Sequence, residues 1–256
     1  MSNPIALTDA QWTLVADLFD PPGRRGPPAR YPRRAMVEAM LFIARTGCQW
    51  RYLPERYPPW NSVWKQWSRW RDTGVWEHAM TRLAAAIRTR QGRAATPSMV
   101  MLDAQTARGA RSGPTFHEAG GRGGRTIGTK RTIAVEITGL PIAVGIASAR
   151  PHDVAEGRRL LKASLPELPR LAAVVADRGY RGLAPLAARQ HLTLDSKAKP
   201  AGVSGFTPLA PLYRIEQVFA QLGRWRRLSR CYEGSPASAQ AWLAVAAVGL
   251  LASRLA

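Results

Sequence analysis

The sequence predicts an α/β protein in two parts, an all-helical segment over residues 1–93 and a mixed strand-and-helix segment over residues 98–256. Three observations carry this reading. Through the first part, apolar residues recur at helical spacing, as in Met36, Met40, Leu41 and Ile43. Past the polar linker Gln91 to Pro97 the pattern shifts to short apolar runs, Met99 to Leu102 and Ala172 to Ala176, each delivering one aspartate, Asp103 and Asp177. Between them Ile133, Val135 and Ile137 alternate, and Thr138-Gly139-Leu140-Pro141 supplies the turn of a hairpin with Ile142 to Ala147.

In chain order, Thr8 opens a first helix with Gln11 at the capping-box position and Trp12, Val15, Leu18 and Phe19 on one face. Gly23 to Arg30 reads as a basic loop. A second helix covers Arg33 to Thr46 and stops at Gly47. Asn61-Ser62 offers caps for a third, on which Trp60, Trp64 and Trp67 fall at helical spacing, with Lys65, Arg69 and Arg71 on much of the remaining surface. Gly74 separates it from a fourth over Val75 to Thr89. Short helices around a tight turn, with basic residues on an exposed face, suit a helix-turn-helix reader of DNA; the tryptophans more simply pack in the core.

Thr106 to Thr129, rich in Gly and Arg without apolar periodicity, reads as a mobile basic loop. Asp153 and Glu156 form a helix-opening box for Val154 to Leu165. Gly182 to Gln190 reads as a helix, His191 to Leu194 as a short strand and Ser196 to Pro211 as loop. A helix from Leu212 buries Ile215, Phe219 and Leu222, and Ser235-Pro236 caps a last apolar helix.

Charge bounds the partners. Lys and Arg number 37 against 17 Asp and Glu, a net charge of +20. A basic protein whose arginines are spread through folded segments has a polyanionic partner, nucleic acid before a membrane surface. Cys48 and Cys231 stand alone, without disulfide or zinc spacing. The start lacks the basic and apolar regions of a signal peptide, and Ala241 to Ala252 falls short of the ~18 apolar residues of a membrane span. The expectation is a cytoplasmic protein.

The carboxylates of the second part can be sorted by elimination. Asp153 and Glu156 have a capping role, Glu136 lies on the outer face of an alternating strand, and Glu118, Glu167, Asp195 and Glu233 lie in or beside loops. Asp103, Asp177 and Glu216 remain, each set against an apolar run. Taken alone, an aspartate such as Asp177 is more often a helix-capping or turn residue. Three together suit phosphoryl transfer assisted by hard divalent cations with oxygen ligands, Mg²⁺ or Mn²⁺.

Several stretches then resemble insertion-sequence transposases of the DDE superfamily, in the insertion sequence 5 family, over nearly the whole length. They are Leu7-Thr8-Asp9-Ala10-Gln11-Trp12, Arg45 to Pro54, Leu102-Asp103-Ala104-Gln105-Thr106, Gly128-Thr129-Lys130-Arg131, Val175-Ala176-Asp177-Arg178-Gly179-Tyr180, and Arg214-Ile215-Glu216-Gln217-Val218-Phe219 with Arg226-Arg227-Leu228 and Tyr232-Glu233 after it. The resemblance implies a ribonuclease H-like second domain and two Mg²⁺ ions, replaceable by Mn²⁺, on Asp103, Asp177 and Glu216. It also implies cleavage of double-stranded DNA at transposon ends, transfer of the freed 3′-hydroxyl to target DNA, and a homodimer or larger assembly on DNA in the bacterial nucleoid. Expected DNA contacts are Lys65, Arg69, Lys130, Arg131, Arg224, Arg226 and Arg227. Two positions depart from the pattern. Gly223 stands where a basic residue commonly follows the glutamate, with Arg224 beside it, and Ala104 stands where a small hydroxyl residue is common. Glu233 competes for the third ligand position. A catalytically inactive DNA-binding regulator and a metal-dependent nuclease without strand transfer are the alternative functions.

Overall fold

The computed structural model describes residues 6–23, 29–110, 116–120, 124–197 and 210–255. Thr8 caps α1 (Asp9–Thr13) through the expected box: its hydroxyl accepts from Gln11 N, and Gln11 Oε1 accepts from Thr8 N at 2.7 Å. The single first helix of the sequence reading divides, however, α2 (Ala16–Phe19) following after a break at Leu14-Val15. α3 (Arg33–Thr46) ends on Gly47 at φ +71°, a left-handed stop that costs glycine little. α4 (Trp60–Asp72) begins after Pro59 with no side-chain cap; Asn61 instead accepts from Ser62 N. α5 (Val75–Arg90) starts at Gly74.

The second part is built on a six-stranded mixed sheet, with β1 (Met99–Arg108), β2 (Glu118–Gly120), β3 (Thr126–Glu136), β4 (Pro141–Ser148), β5 (Ala173–Asp177) and β6 (Thr193–Lys197). β3 pairs antiparallel with β4 on one side and β1 on the other, and β1, β5 and β6 run parallel. This order, β4-β3-β1-β5-β6 with β2 extending the outer edge of β3, is the ribonuclease H-like sheet. α6 (Asp153–Ser164) lies on one face, where Gly157 lets it sit against Leu102 and Tyr180; a Cβ there would stand 2.8 Å from each side chain. α8 (Tyr213–Gly223) packs on β1 and β3, and α7 (Ala184–Arg189), between β5 and β6 in the chain, packs on β6.

Two expectations change at this level. Thr106 to Thr129 is not one long loop: β1 runs on to Arg108 and β3 starts at Thr126, leaving residues 111–115 and 121–123 outside the described residues. The glycines that hid these strands permit them, since a Cβ on Gly128 would lie 2.0 Å from the Ala107 carbonyl oxygen. Glu136 is not on an outer face but fully buried. The interior of β3 is buried residue after residue, so no solvated side remains for it. Of the predicted loops, residues 24–28 and 198–209 also lie outside the described residues.

Buried Glu136 meets buried Arg88 of α5 in an ion pair, accepts from Thr138 N at 2.7 Å and from the Thr138 hydroxyl, while Arg88 Nε donates to the Ala94 carbonyl at 2.8 Å. The pair fastens the helical part to the sheet. α9 (Pro236–Ala252), capped by Ser235 as expected, is apolar on all sides and is covered by α3, α4 and α5 as well as by β4 and α8. Its Trp242 stacks on Trp67 of α4 with centroids 5.2 Å apart, and Trp50 leans on both rings. One apolar core therefore runs through both parts.

Removing one member of a buried ion pair strands the other charge, at a cost of roughly 3–5 kcal/mol. Arg88→Met should lower the urea midpoint accordingly, and Arg88→Met with Glu136→Leu should recover much of the loss. A double variant no more stable than the single would show that the pair is not what Arg88 contributes.

Candidate active site

Parallel pairing of β1 with β5 sets the centre of the site. Met101 lies opposite Val175, and that register carried on by two residues brings Asp103 level with Asp177 on the same sheet face. Pairing stops at Met101–Val175, so the two strands part where they deliver their carboxylates. On this face Arg131, two residues along β3 from the partner of Asp103, donates to the Leu228 carbonyl at 2.7 Å, which locates the α8 end of the chain there. Glu216 sits exposed in the first turn of α8.

Asp103 is the most perturbed of the three. Desolvation within β1 pushes its carboxyl up to about 7, and the negative fields of Asp177, Asp153 and Glu216 add to this, against a lowering hydrogen bond from Ala104 N at 2.7 Å. Asp177 keeps the capping role that its sequence suggested: Oδ1 accepts from Gly179 N at 2.8 Å and starts the turn over Arg178–Leu183. Capping occupies Oδ1 of Asp177 and leaves Oδ2 to other partners. Among the described residues neither Oδ2 of Asp103 nor Oδ2 of Asp177 accepts a hydrogen bond, and none of the three carboxylates is in an ion pair.

Among the described residues no three His, Cys, Asp or Glu side chains stand close enough to form a ready cage for an ion. The donor chemistry nevertheless fits a hard divalent cation. The donors are carboxylate oxygens, and a cation between them would relieve both the repulsion and the desolvation that raise Asp103.

The fourth carboxylate of the cluster is one that sequence reasoning assigned elsewhere. Asp153 does not cap α6, whose N-cap His152 makes no side-chain bond; its Oδ1 lies 2.5 Å from the buried ammonium of Lys130, which also donates to the Pro151 carbonyl. Lys130 pairs with Thr106 across the sheet, on the α6 side. Tyr180, under Gly157, is buried with its hydroxyl unpartnered among the described residues and is held protonated by burial and by Asp103, Asp153 and Asp177. The sequence carried no signal for this role of Asp153, which depends on the approach of a strand lysine that only the register reveals.

The expected DNA contacts divide. Lys65, Arg69, Arg224 and Arg226 are exposed. Lys130 and Arg131 are buried, Arg131 with its guanidinium pushed down to about 10 by desolvation. Arg227 is turned inward, bonded to Glu233 at 2.9 and 2.6 Å and lying 4.9 Å from the Trp242 ring. These three hold the fold, because strand alternation and a nearby carboxylate draw them in. The same bond occupies Glu233, the competitor for third ligand. Arg224, beyond Gly223, leaves its side chain in solvent and its carbonyl accepts from Arg45.

Two family models match segments of the chain. Residues 7–80 match the family described as "Putative transposase of IS4/5 family", and residues 94–198 match the "Transposase DDE domain". The match over residues 94–198, together with the ribonuclease H-like sheet, places that segment among DDE-type transposase domains. Taken together, the two matches make the chain similar to insertion-sequence transposases of the IS4/5 family over residues 7–80 and to DDE transposase domains over residues 94–198. It is 35% identical over 94 residues to an uncharacterized 16.2 kDa protein of insertion element IS402 from Burkholderia cepacia, covering 34% of this chain and 63% of that one. It is 37% identical over 81 residues to the uncharacterized protein y4sN of Sinorhizobium fredii, covering 30% of this chain and 62% of that one. The chain therefore spans less than two thirds of either relative. No solved structure matches. No helix among the described residues is long and apolar enough to cross a membrane.

A raised Asp103 has a consequence for stability. The folded protein holds the proton to about 7 whereas an unfolded Asp releases it near 4, so stability falls as pH rises between those values. Asp103→Asn should raise the melting temperature of chelator-treated protein at pH 8, by on the order of 1–3 kcal/mol of stability. The gain should shrink as pH falls toward 4. An equal or negative effect at pH 8 would mean that the carboxylate is not under strain.

Proposed function

We propose that this chain is a DNA transposase that binds the terminal inverted repeats of its own insertion sequence, cleaves DNA there and joins the freed ends to target DNA. The observation that carries the reading is an electrostatic one. In a chain with 37 cationic and 17 acidic side chains, the carboxylates of Asp103, Asp177 and Glu216 share a neighbourhood without an ion pair among the described residues. Leaving like charges together in so basic a protein costs stability, and a bound cation is what offsets it.

In this reading Asp103, Asp177 and Glu216 hold two divalent ions, Mg²⁺ with Mn²⁺ as a substitute. When bound, such ions activate the attacking oxygen and stabilise the leaving oxygen of the scissile phosphate. The protein's own part is positioning. Asp103 is fixed by Ala104 N and Asp177 by Gly179 N, so both carboxylates are oriented before DNA arrives. Glu216 approaches from a different element, α8, whose placement depends on the packing of Ile215 and Val218. The exposed Lys65, Arg69, Arg224 and Arg226 would hold phosphates, which position the duplex without reading its sequence. Residues 1–93 serve as the end-binding unit and residues 98–256 as the cutting unit, working on DNA as a homodimer or larger assembly in the bacterial cytoplasm.

Asp103→Asn, Asp177→Asn and Glu216→Gln should each abolish strand cleavage in Mg²⁺, by at least a thousandfold on the scale of a lost metal site, while leaving DNA affinity within about twofold. Full cleavage by any one of them would remove that residue from the site. Affinity for duplex DNA should fall steeply with salt, and Lys65→Ala should reduce the slope of log K against log salt by about one. A flat titration would show that the positive charge does not face phosphates.

A further inference from the structure

Nine tryptophans occur in the chain, and their surroundings are unequal. Trp12, Trp50, Trp67, Trp70, Trp76 and Trp242 are joined to other rings in the aromatic network that spans the helices. Trp225 is buried against Gly249, where a Cβ would stand 2.0 Å from its ring. Trp60 and Trp64 differ: they are 37% and 46% exposed and neither touches another ring among the described residues. They stand four residues apart on α4, hence on one face of its first two turns. Arg51 lies 5.4 Å from the Trp60 ring, and the next residue, Tyr52, is 73% exposed. Lys65 follows Trp64. Neither Arg51 nor Lys65 is in an ion pair among the described residues.

Adjacent, half-bare aromatic rings rimmed by cations that are in no ion pair among the described residues, one of them over the Trp60 ring, are a surface to be covered, and the cations select what covers it. A second copy of this chain would bring its own +20 and the same arginine and lysine against themselves. A polyanion with flat apolar faces meets both demands at once. Bases inside a duplex have their faces covered by one another, so only bases freed from the stack can lie on Trp60 and Trp64. We propose that the start of α4, with Trp60, Trp64, Arg51 and Lys65, is a stacking site for unpaired nucleotides of DNA. Arg51 and Lys65 take the phosphates and the indoles take the bases. Such nucleotides arise at frayed, nicked or cut ends, and this inference rests on the DNA-binding function proposed above.

The test uses the full chain and two labelled oligonucleotide substrates of identical sequence: a closed duplex, and the same duplex with three unpaired nucleotides at one end. Fluorescence anisotropy at matched salt should show the unpaired substrate bound roughly tenfold more tightly by the native chain, the scale of one or two stacked bases. Trp64→Ala and Trp60→Ala should each remove most of that preference while leaving closed-duplex affinity within about twofold, and Trp64→Phe should keep part of it. Circular dichroism and melting temperature verify that each variant is folded. No preference in the native chain, or one that survives both alanine variants, would overturn the inference while leaving duplex binding intact. Failure to bind either substrate would overturn the DNA-binding function itself. A DNA-free native chain whose dimer dissociates in Trp60→Ala by analytical ultracentrifugation would instead assign the face to protein contact and overturn the inference.

Discussion

A helix that is apolar on every side must be covered on every side, and α9 imposes that requirement on the rest of the fold. The sheet part and the helical part surround it jointly. β4 and α8 cover it from the sheet part, and α3, α4 and α5 from the other. The last segment of the chain is thus the shared interior of both. The Trp67–Trp242 stack, flanked by Arg71 against one ring and Arg227 against the other, is the aromatic centre of that arrangement. The Arg88–Glu136 pair adds a polar fastening at the far end of α5, where water is excluded and a stranded charge would be costly.

The candidate site lies where β1 and β5 stop pairing. β1 and β5 deliver Asp103 and Asp177 just where their pairing ends, and the backbone donors Ala104 N and Gly179 N hold one oxygen of each. The cluster extends through the sheet to Asp153, but there Lys130 supplies a counter-charge from within the protein. The two faces of β1 therefore handle negative charge differently: one neutralises it internally and the other leaves it for something that arrives. Cations that a simple census would send to the surface, Lys130, Arg131 and Arg227, are used inside instead.

Much of this was legible in the sequence, for identifiable reasons. α3 and its Gly47 stop, the Thr8 capping box, the Ser235-Pro236 start of α9 and the strand ending at Asp177 all depend on local chemistry, which a sequence carries openly. What was missed depends on partners remote in the chain. β1 and β3 pair through glycine- and arginine-rich residues because pairing needs only backbone, so the segment between 106 and 129 carried no apolar signature. Glu136 alternated as an exposed residue would, yet Arg88, 48 positions away, makes it a core residue. Asp153 had the right position for a cap, and only the approach of Lys130 shows its other use.

The common interior has a mechanical meaning. Because α4 and the strands bearing Asp103 and Asp177 are built onto one core, the span from the exposed face of α4 to the carboxylates is not free to vary within a chain. On the proposed function, the protein is then a ruler: DNA gripped at α4 presents a particular phosphate to the carboxylates by length alone. The cut position would be measured by the body of the protein rather than read from the bases at the cut.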